Sequence, residues 1–264
     1  MKRDFSSFSA TIIQELFDNG TVKTNQTAII DLMDENGTIS ETVRFAFIST
    51  KEVYEQLKQT GSISYTGCYI ENINLEEYRK IEDIGAKELI LLNTLTLKNC
   101  FISNQGCNLD LSNIGLMGEP ANFENTIFSA SAISFENSKF HSGSVSFEYT
   151  LFISESINFS RIDFRDSDVH FKNAIFSKGD INFSNSNFLG QNAIFTNADF
   201  GNGDISFENC KFTCKNISFE VIHGGVGKKD FSKIDFGNGD VNFDKAEFGS
   251  GTAEPENLTS LKPT

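Results

Sequence analysis

The feature that most constrains this chain is a column of phenylalanines at a period of twelve. Phe123, Phe135, Phe147, Phe159, Phe171, Phe183, Phe195, Phe207, Phe219, Phe231 and Phe243 keep that spacing without a break. A second column sits five residues after the first, at Phe128, Phe140, Phe152, Phe164, Phe176, Phe188, Phe200, Phe212, Phe236 and Phe248. Gly224 is the one interruption, and Leu111 and Leu116 extend both columns back by one unit. A fixed period held over this length is the signature of a repeat architecture.

The neighbours identify the element. An aliphatic residue such as Ile133, Val145, Ile157 or Ile181 precedes the first Phe by two positions. A small residue or Ile (Thr126, Ser138, Ala174, Cys210) precedes the second by two. Inward pairs at i and i+2 are strand alternation, and a helical period of 3.6 could not hold both columns on one face. A coil of twelve residues would crowd two Phe and an aliphatic residue into a narrow bore, against the packing limits of protein interiors. The expected coil therefore spans two units, about 24 residues, and has four sides. Twelve units over 109–252 then make six turns, roughly 29 Å at a rung spacing of ~4.8 Å.

Segments such as SKFHS, AIFSK, SNFLG and ADFGN resemble the pentapeptide-repeat family, in a Phe-rich form with a unit of 5 + 5 + 2 and two wider corners per turn. That resemblance implies a right-handed quadrilateral β-helix, with the central Phe and the small residue two before it pointing inward. The expected fold class is thus mainly β, a β-solenoid with a small N-terminal α+β domain.

Before the columns, SATIIQELFD at 9–18 has Ile12, Ile13, Leu16 and Phe17 at helical spacing. TAIIDLMDENGTISETVRFAFIS reads as two strands around a DENG turn. Ser49 and Glu52 form a capping box for a helix stopped by Gly61. The expected division is an α+β unit at 1–61, an irregular solenoid start with an inserted helix at 62–108, the regular solenoid at 109–252, and a tail at 253–264. Leu258 and Leu261 suit a small helix over Phe243 and Phe248. Without such a cover, the C-terminal end would pair with a second copy as a homodimer.

The chemistry-bearing motifs are few. FGNGD occurs at 200–204 and again at 236–240. Its Gly, Asn and Asp are turn residues, and a calcium ladder would need carboxylates repeating where Lys228 follows Asp180 and Asp204. GGVGKK lacks the Gly and Ser/Thr of a phosphate loop, with Ile222 and Lys229 at those places. His223, Gly224, Gly225, Lys228 and Lys229, where the repeat breaks, are the candidate interaction surface. His141, His170 and His223 share no motif, and Cys210 with Cys214 is a poor zinc signal. No catalytic residue, metal ligand or cofactor is expected.

The formal charge of −14 argues against direct nucleic-acid binding. Residues 1–120 carry 10 basic and 17 acidic groups, and residues 121–248 carry 11 and 17, so the charge is spread. No apolar run approaches the ~20 residues of a membrane span. No signal peptide is read, and five cysteines in a chain of this length suit a reducing cytoplasm. These features favour a non-enzymatic interaction or scaffold module with a protein partner. Two alternatives stay open. The resemblance also allows a DNA mimic acting on a type II topoisomerase, and sugar-active β-helices allow a glycan-binding protein or enzyme.

Overall fold

A computed structural model describes residues 5–141, 143–177, 179–251 and 253–254. The expected cap at Leu258 and Leu261 lies outside the described residues. The chain winds into a β-solenoid whose four faces are parallel sheets, visited in a fixed order. From Ile127 onward each strand pairs with its counterpart two repeat units later, as in Phe128 with Phe152 and Ile133 with Ile157. The four-sided coil is therefore as expected. The ladder begins earlier than the Phe columns, however. One face holds eight strands starting at Ser62, so the solenoid has about eight turns.

The N-terminal elements are β1 (Ser7–Ile13), β2 (Phe17–Asp18), β3 (Lys23–Thr24), β4 (Thr27–Met33), β5 (Ile39–Ile48) and α1 (Thr50–Thr60). They are followed by β6 (Ser62–Thr66), β7 (Cys68–Glu71), α2 (Leu75–Ile81), β8 (Ile90–Leu92), β9 (Thr94–Lys98) and β10 (Phe101–Asn104). The hairpin β4–β5 forms around Asp34, whose carboxylate accepts the amides of Asn36 and Thr38. Ser49 and Glu52 make the expected capping box, and Gly61 ends α1 in the left-handed region at φ 65°. Val53 and Leu57 of α1 join the tube's own core at its first turn. The insertion holding α2 makes one turn longer than those that follow, and Tyr69 pairs with Phe101 across it.

The helix expected at 9–18 is overturned. Residues 7–13 form β1, antiparallel to β4 with Ala10 opposite Ile30. The spacing of Ile12, Ile13, Leu16 and Phe17 fits a helix, but Phe8, Ala10 and Ile12 also alternate. A strand lets that alternating set reach an apolar surface, while Ser7, Ser9 and Thr11 face solvent.

Inside the tube the phenylalanines form four stacked columns. Rings one turn apart lie between 4.4 Å (Phe188–Phe212) and 5.7 Å (Phe140–Phe164) from each other. Neighbouring columns meet edge-on, as Phe159 and Phe171 do at 5.4 Å and 85°. Both geometries suit the ring quadrupole. The small inward column serves backbone groups that water cannot reach. Thr150 Oγ1 donates to the Phe123 carbonyl at 2.9 Å, and Ser186 Oγ to that of Phe159 at 2.8 Å.

Two kinds of corner turn the chain. Between the first Phe and the small residue lies a tight corner whose last residue is left-handed. Asn125, Asn137, Asn173, Asn185, Asn197 and Asn209 occupy it at φ between 56° and 61°. Asn tolerates this region better than other residues with a Cβ. Successive Asn side chains also bond to one another, with Asn209 Nδ2 donating to Asn185 Oδ1 at 2.8 Å and Asn137 to Asn113 at 2.7 Å. Tyr149, Arg161, Val221, Lys233 and Lys245 stand in the same conformation.

The second corner holds the FGNGD type of segment. Gly203 rests on Gly179 and Gly227 on Gly203 so closely that a Cβ on either would lie 2.1 Å from the carbonyl oxygen below. The aspartates fix the stack, because Asp180 accepts the Asp204 amide at 2.9 Å and Asp204 that of Lys228 at 2.7 Å.

Candidate functional site

One face of the solenoid differs from the others on its outside. Its outward column runs Tyr69, Phe101, Ile127, Leu151, Ile175, and only then turns polar at Asp199, His223 and Glu247. An apolar column facing outward needs a cover. The N-terminal strands supply it. β5 extends this face by pairing in parallel with β7, Phe47 opposite Tyr69. β4 and β1 belong to the same sheet and fold back over its outer side, placing the Phe8 ring 4.6 Å from Phe101. Ala28, Ile30, Leu32 and Phe45 complete this second core with Tyr69, Phe101, Ile127 and Leu151.

The cover is one strand wide at its margin. β1 pairs with β4 alone among the described strands, so its other edge is open. Two adjoining grooves of about 730 and 420 Å³ follow that edge from Phe5 to Ala10, and both touch Phe8 and Gln105. No residue of β4 lines either. The floor of the larger groove is two outward columns, Leu151 with Ile175 and Ser129 with Ile153 and Ser177, and Ser131 and Ser154 line it as well. Ile153 and Ile175 remain half-buried rather than covered. Glu35, Glu71 and Glu155 border the pair of grooves, and no Lys or Arg does among the described residues. The Tyr69 hydroxyl donates to Glu71 Oε1 at 2.9 Å, and burial followed by that carboxylate raises the phenol's pKa, keeping it a donor.

A third groove, about 540 Å³, separates α1 from α2. Several of its polar groups are engaged. Tyr54 Oη donates to the Asn74 carbonyl at 2.6 Å, and Lys58 pairs with Glu82 at 2.8 Å. Burial pushes Tyr54 up to about 12. Nearby, the buried Arg79 of α2 holds the carbonyls of Ser112 and Asn113 at 2.6 and 3.0 Å, tying the insertion to the next turn. This groove is a structural joint.

The sequence-derived candidates lie at the repeat defect, on the corner after Ile222. His223 is exposed, with Nδ1 3.3 Å from Glu247 Oε2. Gly225 donates its amide to Gly201 at 2.7 Å, and Lys228 Nζ lies 3.6 Å from Asp230. Lys229 departs from the expected surface role, since it is 1 % exposed. It stands in the inward aliphatic column, paired with Ile205. Its stem passes beside Gly224, where an added Cβ would meet Lys229 Cε at 2.9 Å. The Lys229 side chain thus fills the space a Phe at 224 would take. The ammonium donates to the Gly225 carbonyl at 2.6 Å and to that of Gly227. Burial lowers its pKa, partly offset by Asp204. The defect is packed from inside, and of the five candidates Lys229 is closed off from a partner.

The other titratable groups are dispersed. His141 faces Asp163 at 3.5 Å and His170 faces Glu148 at 3.8 Å, on different faces. No three His, Cys, Asp or Glu side chains converge as metal ligands among the described residues. No helix among them is long and apolar enough to cross a membrane. Charges of both signs occur in the outward columns. One column reads Lys139, Asp163, Asn187, Lys211, Asp235, and another Glu124, Glu148, Lys172, Thr196, Glu220, Asp244. Cross-turn pairs such as Lys98–Glu124 at 2.7 Å and Lys233–Glu208 at 2.6 Å neutralise acids locally.

The sequence reading missed the grooves beside β1. The outward apolar column at 127, 151 and 175 is their one sequence signal. No family model, curated protein or solved structure matches this chain.

Proposed function

We propose that this chain is a non-enzymatic protein-interaction module, built on a solenoid akin to the Phe-rich branch of pentapeptide-repeat proteins. The observation that carries the reading is the open edge of β1 above the half-buried Ile153 and Ile175. The rod holds the floor of this surface at low conformational cost, because the strands of the floor are fixed by the turns on either side. The mixed signs along the outer columns favour this reading over DNA mimicry, which calls for one continuous acidic face. Catalysis finds less support, since the Glu71 carboxylate is already engaged by the Tyr69 hydroxyl.

The test is affinity isolation of partners with the full chain from nuclease-treated extracts of its source cells, quantified by mass spectrometry. One protein recovered near 1:1 is expected. Recovery of a type II topoisomerase subunit would replace this reading with mimicry, and recovery of no protein would refute it.

A further inference from the structure

We propose that the partner binds as an added β-strand: an extended, basic segment pairs its backbone with the open edge of β1 and lies in the grooves beside it. The inference rests on the interaction-module reading and specifies its site and ligand. Four observations carry it.

First, no described strand pairs with the edge. Natural sheets blunt exposed edges with Lys, Pro, bulges or inward charges, and SFSATII has neither Lys nor Pro and no charge of any kind. Second, the space runs along the strand. The grooves follow Phe5–Ala10, a length that an added strand of six residues would span in ~20 Å. Third, the floor suits alternating side chains. Ile153 and Ile175 are half-buried, so residues pointing down from an added strand would complete the second core that β1 and β4 begin. Main-chain pairing would supply affinity and those pockets selectivity, as in other strand-addition complexes.

Fourth, charge selects among occupants. Three glutamates and no cation border the grooves among the described residues. A second copy of a chain carrying −14 would bring like charge to that rim. A segment alternating apolar and basic residues complements both floor and rim.

The experiment titrates the full chain with a labelled, end-blocked octapeptide alternating Lys and Val, followed by fluorescence anisotropy at physiological salt. Two N-methylated versions carry the methyl groups on alternate residues, in opposite registers. One-sided strand addition predicts saturable binding of the parent peptide. It predicts loss of about tenfold or more for one N-methyl register, which removes the paired donors, and little change for the other. A Glu/Val peptide is expected to bind at least about tenfold more weakly. Ile153→Lys is expected to weaken the parent peptide by about tenfold, and Asn187→Lys, the same charge change on another face, to leave it unaltered.

No saturable binding, or equal binding of both N-methyl registers, overturns the proposal. So does unchanged binding to Ile153→Lys. The two readings fail separately. If a stoichiometric partner is isolated but these peptide results are negative, the module reading stands and strand addition falls. If no partner is isolated, the module reading falls whatever the peptides do.

Discussion

The left-handed corner offers a pair of opposite substitutions whose effects follow from the backbone. Val221 and Asn209 hold nearly the same conformation, at φ 54° and 57°. A Cβ in this region costs ~1–2 kcal/mol, least for Asn and most for β-branched residues. Val221→Asn should therefore relieve about 1–2 kcal/mol. A new side-chain bond to Asn197 one turn below would add to this by about as much as the partly buried Val methyls lose. Asn209→Val runs the other way. It takes on the same backbone cost and loses the Asn209–Asn185 bond at 2.8 Å, worth ~1 kcal/mol. Asn209 is exposed, so packing changes little, and the sum is a destabilisation of about 2–3 kcal/mol. Urea unfolding followed by far-ultraviolet circular dichroism reads both. At slopes of ~3 kcal/mol per molar, the midpoint should rise by roughly 0.5 M for Val221→Asn and fall by up to about 1 M for Asn209→Val, with m unchanged. Because repeat arrays can unfold in parts, exchange of the Phe195 and Phe207 amides should move with the midpoints. A lowered midpoint for Val221→Asn, or no effect of Asn209→Val, would refute the claim that corner conformation selects Asn.

Three further outcomes are expected. Gly203→Ala places a Cβ 2.1 Å from the Gly179 carbonyl oxygen and should cost about 3 kcal/mol by overpacking, measured by the same urea titration. Lys229 carries a folded-state pKa lowered below its ordinary value by burial. The unfolded chain then binds the proton more readily, so stability should rise as pH climbs through that lowered pKa towards the unfolded value. Thermal melts across the alkaline range should show this rise in the native chain and lose it in Lys229→Met. Cys68, Cys100, Cys210 and Cys214 are buried, Cys107 is exposed, and burial pushes Cys210 up to about 12 and Cys214 to about 11. A native thiol titration at pH 8 should therefore find one fast-reacting group per chain, and five after denaturation.

Much of the solenoid was legible because its inward columns recur within twelve residues, so Phe and its aliphatic partner betray the tube without any distant contact. The asparagine ladder shares the twelve-residue step, at 113, 125 and 137 and, after Tyr149 and Arg161, at 173, 185, 197 and 209. Its role was hidden because these residues point outward and only the left-handed backbone of the corner calls for Asn. β1 was misread because Ile12, Ile13, Leu16 and Phe17 satisfy a helical spacing locally. The deciding partner, β4, lies across a segment that no local window joins to it. The filling of the Gly224 gap was hidden as well. Lys229 reads as surface charge until its stem is seen to lie in the column of Ile181 and Ile205. The groove beside β1 was the least legible feature, since residues 5–10 meet residues 103–177 only after the first turns have closed and the N-terminal sheet has folded back.

The most direct test of the account is a hydrogen-exchange footprint of the full chain, free and in complex with the partner isolated from its source cells. Binding at the open edge predicts slowed exchange concentrated in residues 5–10 and the adjoining 103–106. Slowing confined to the other faces of the solenoid, with β1 unchanged, would contradict it.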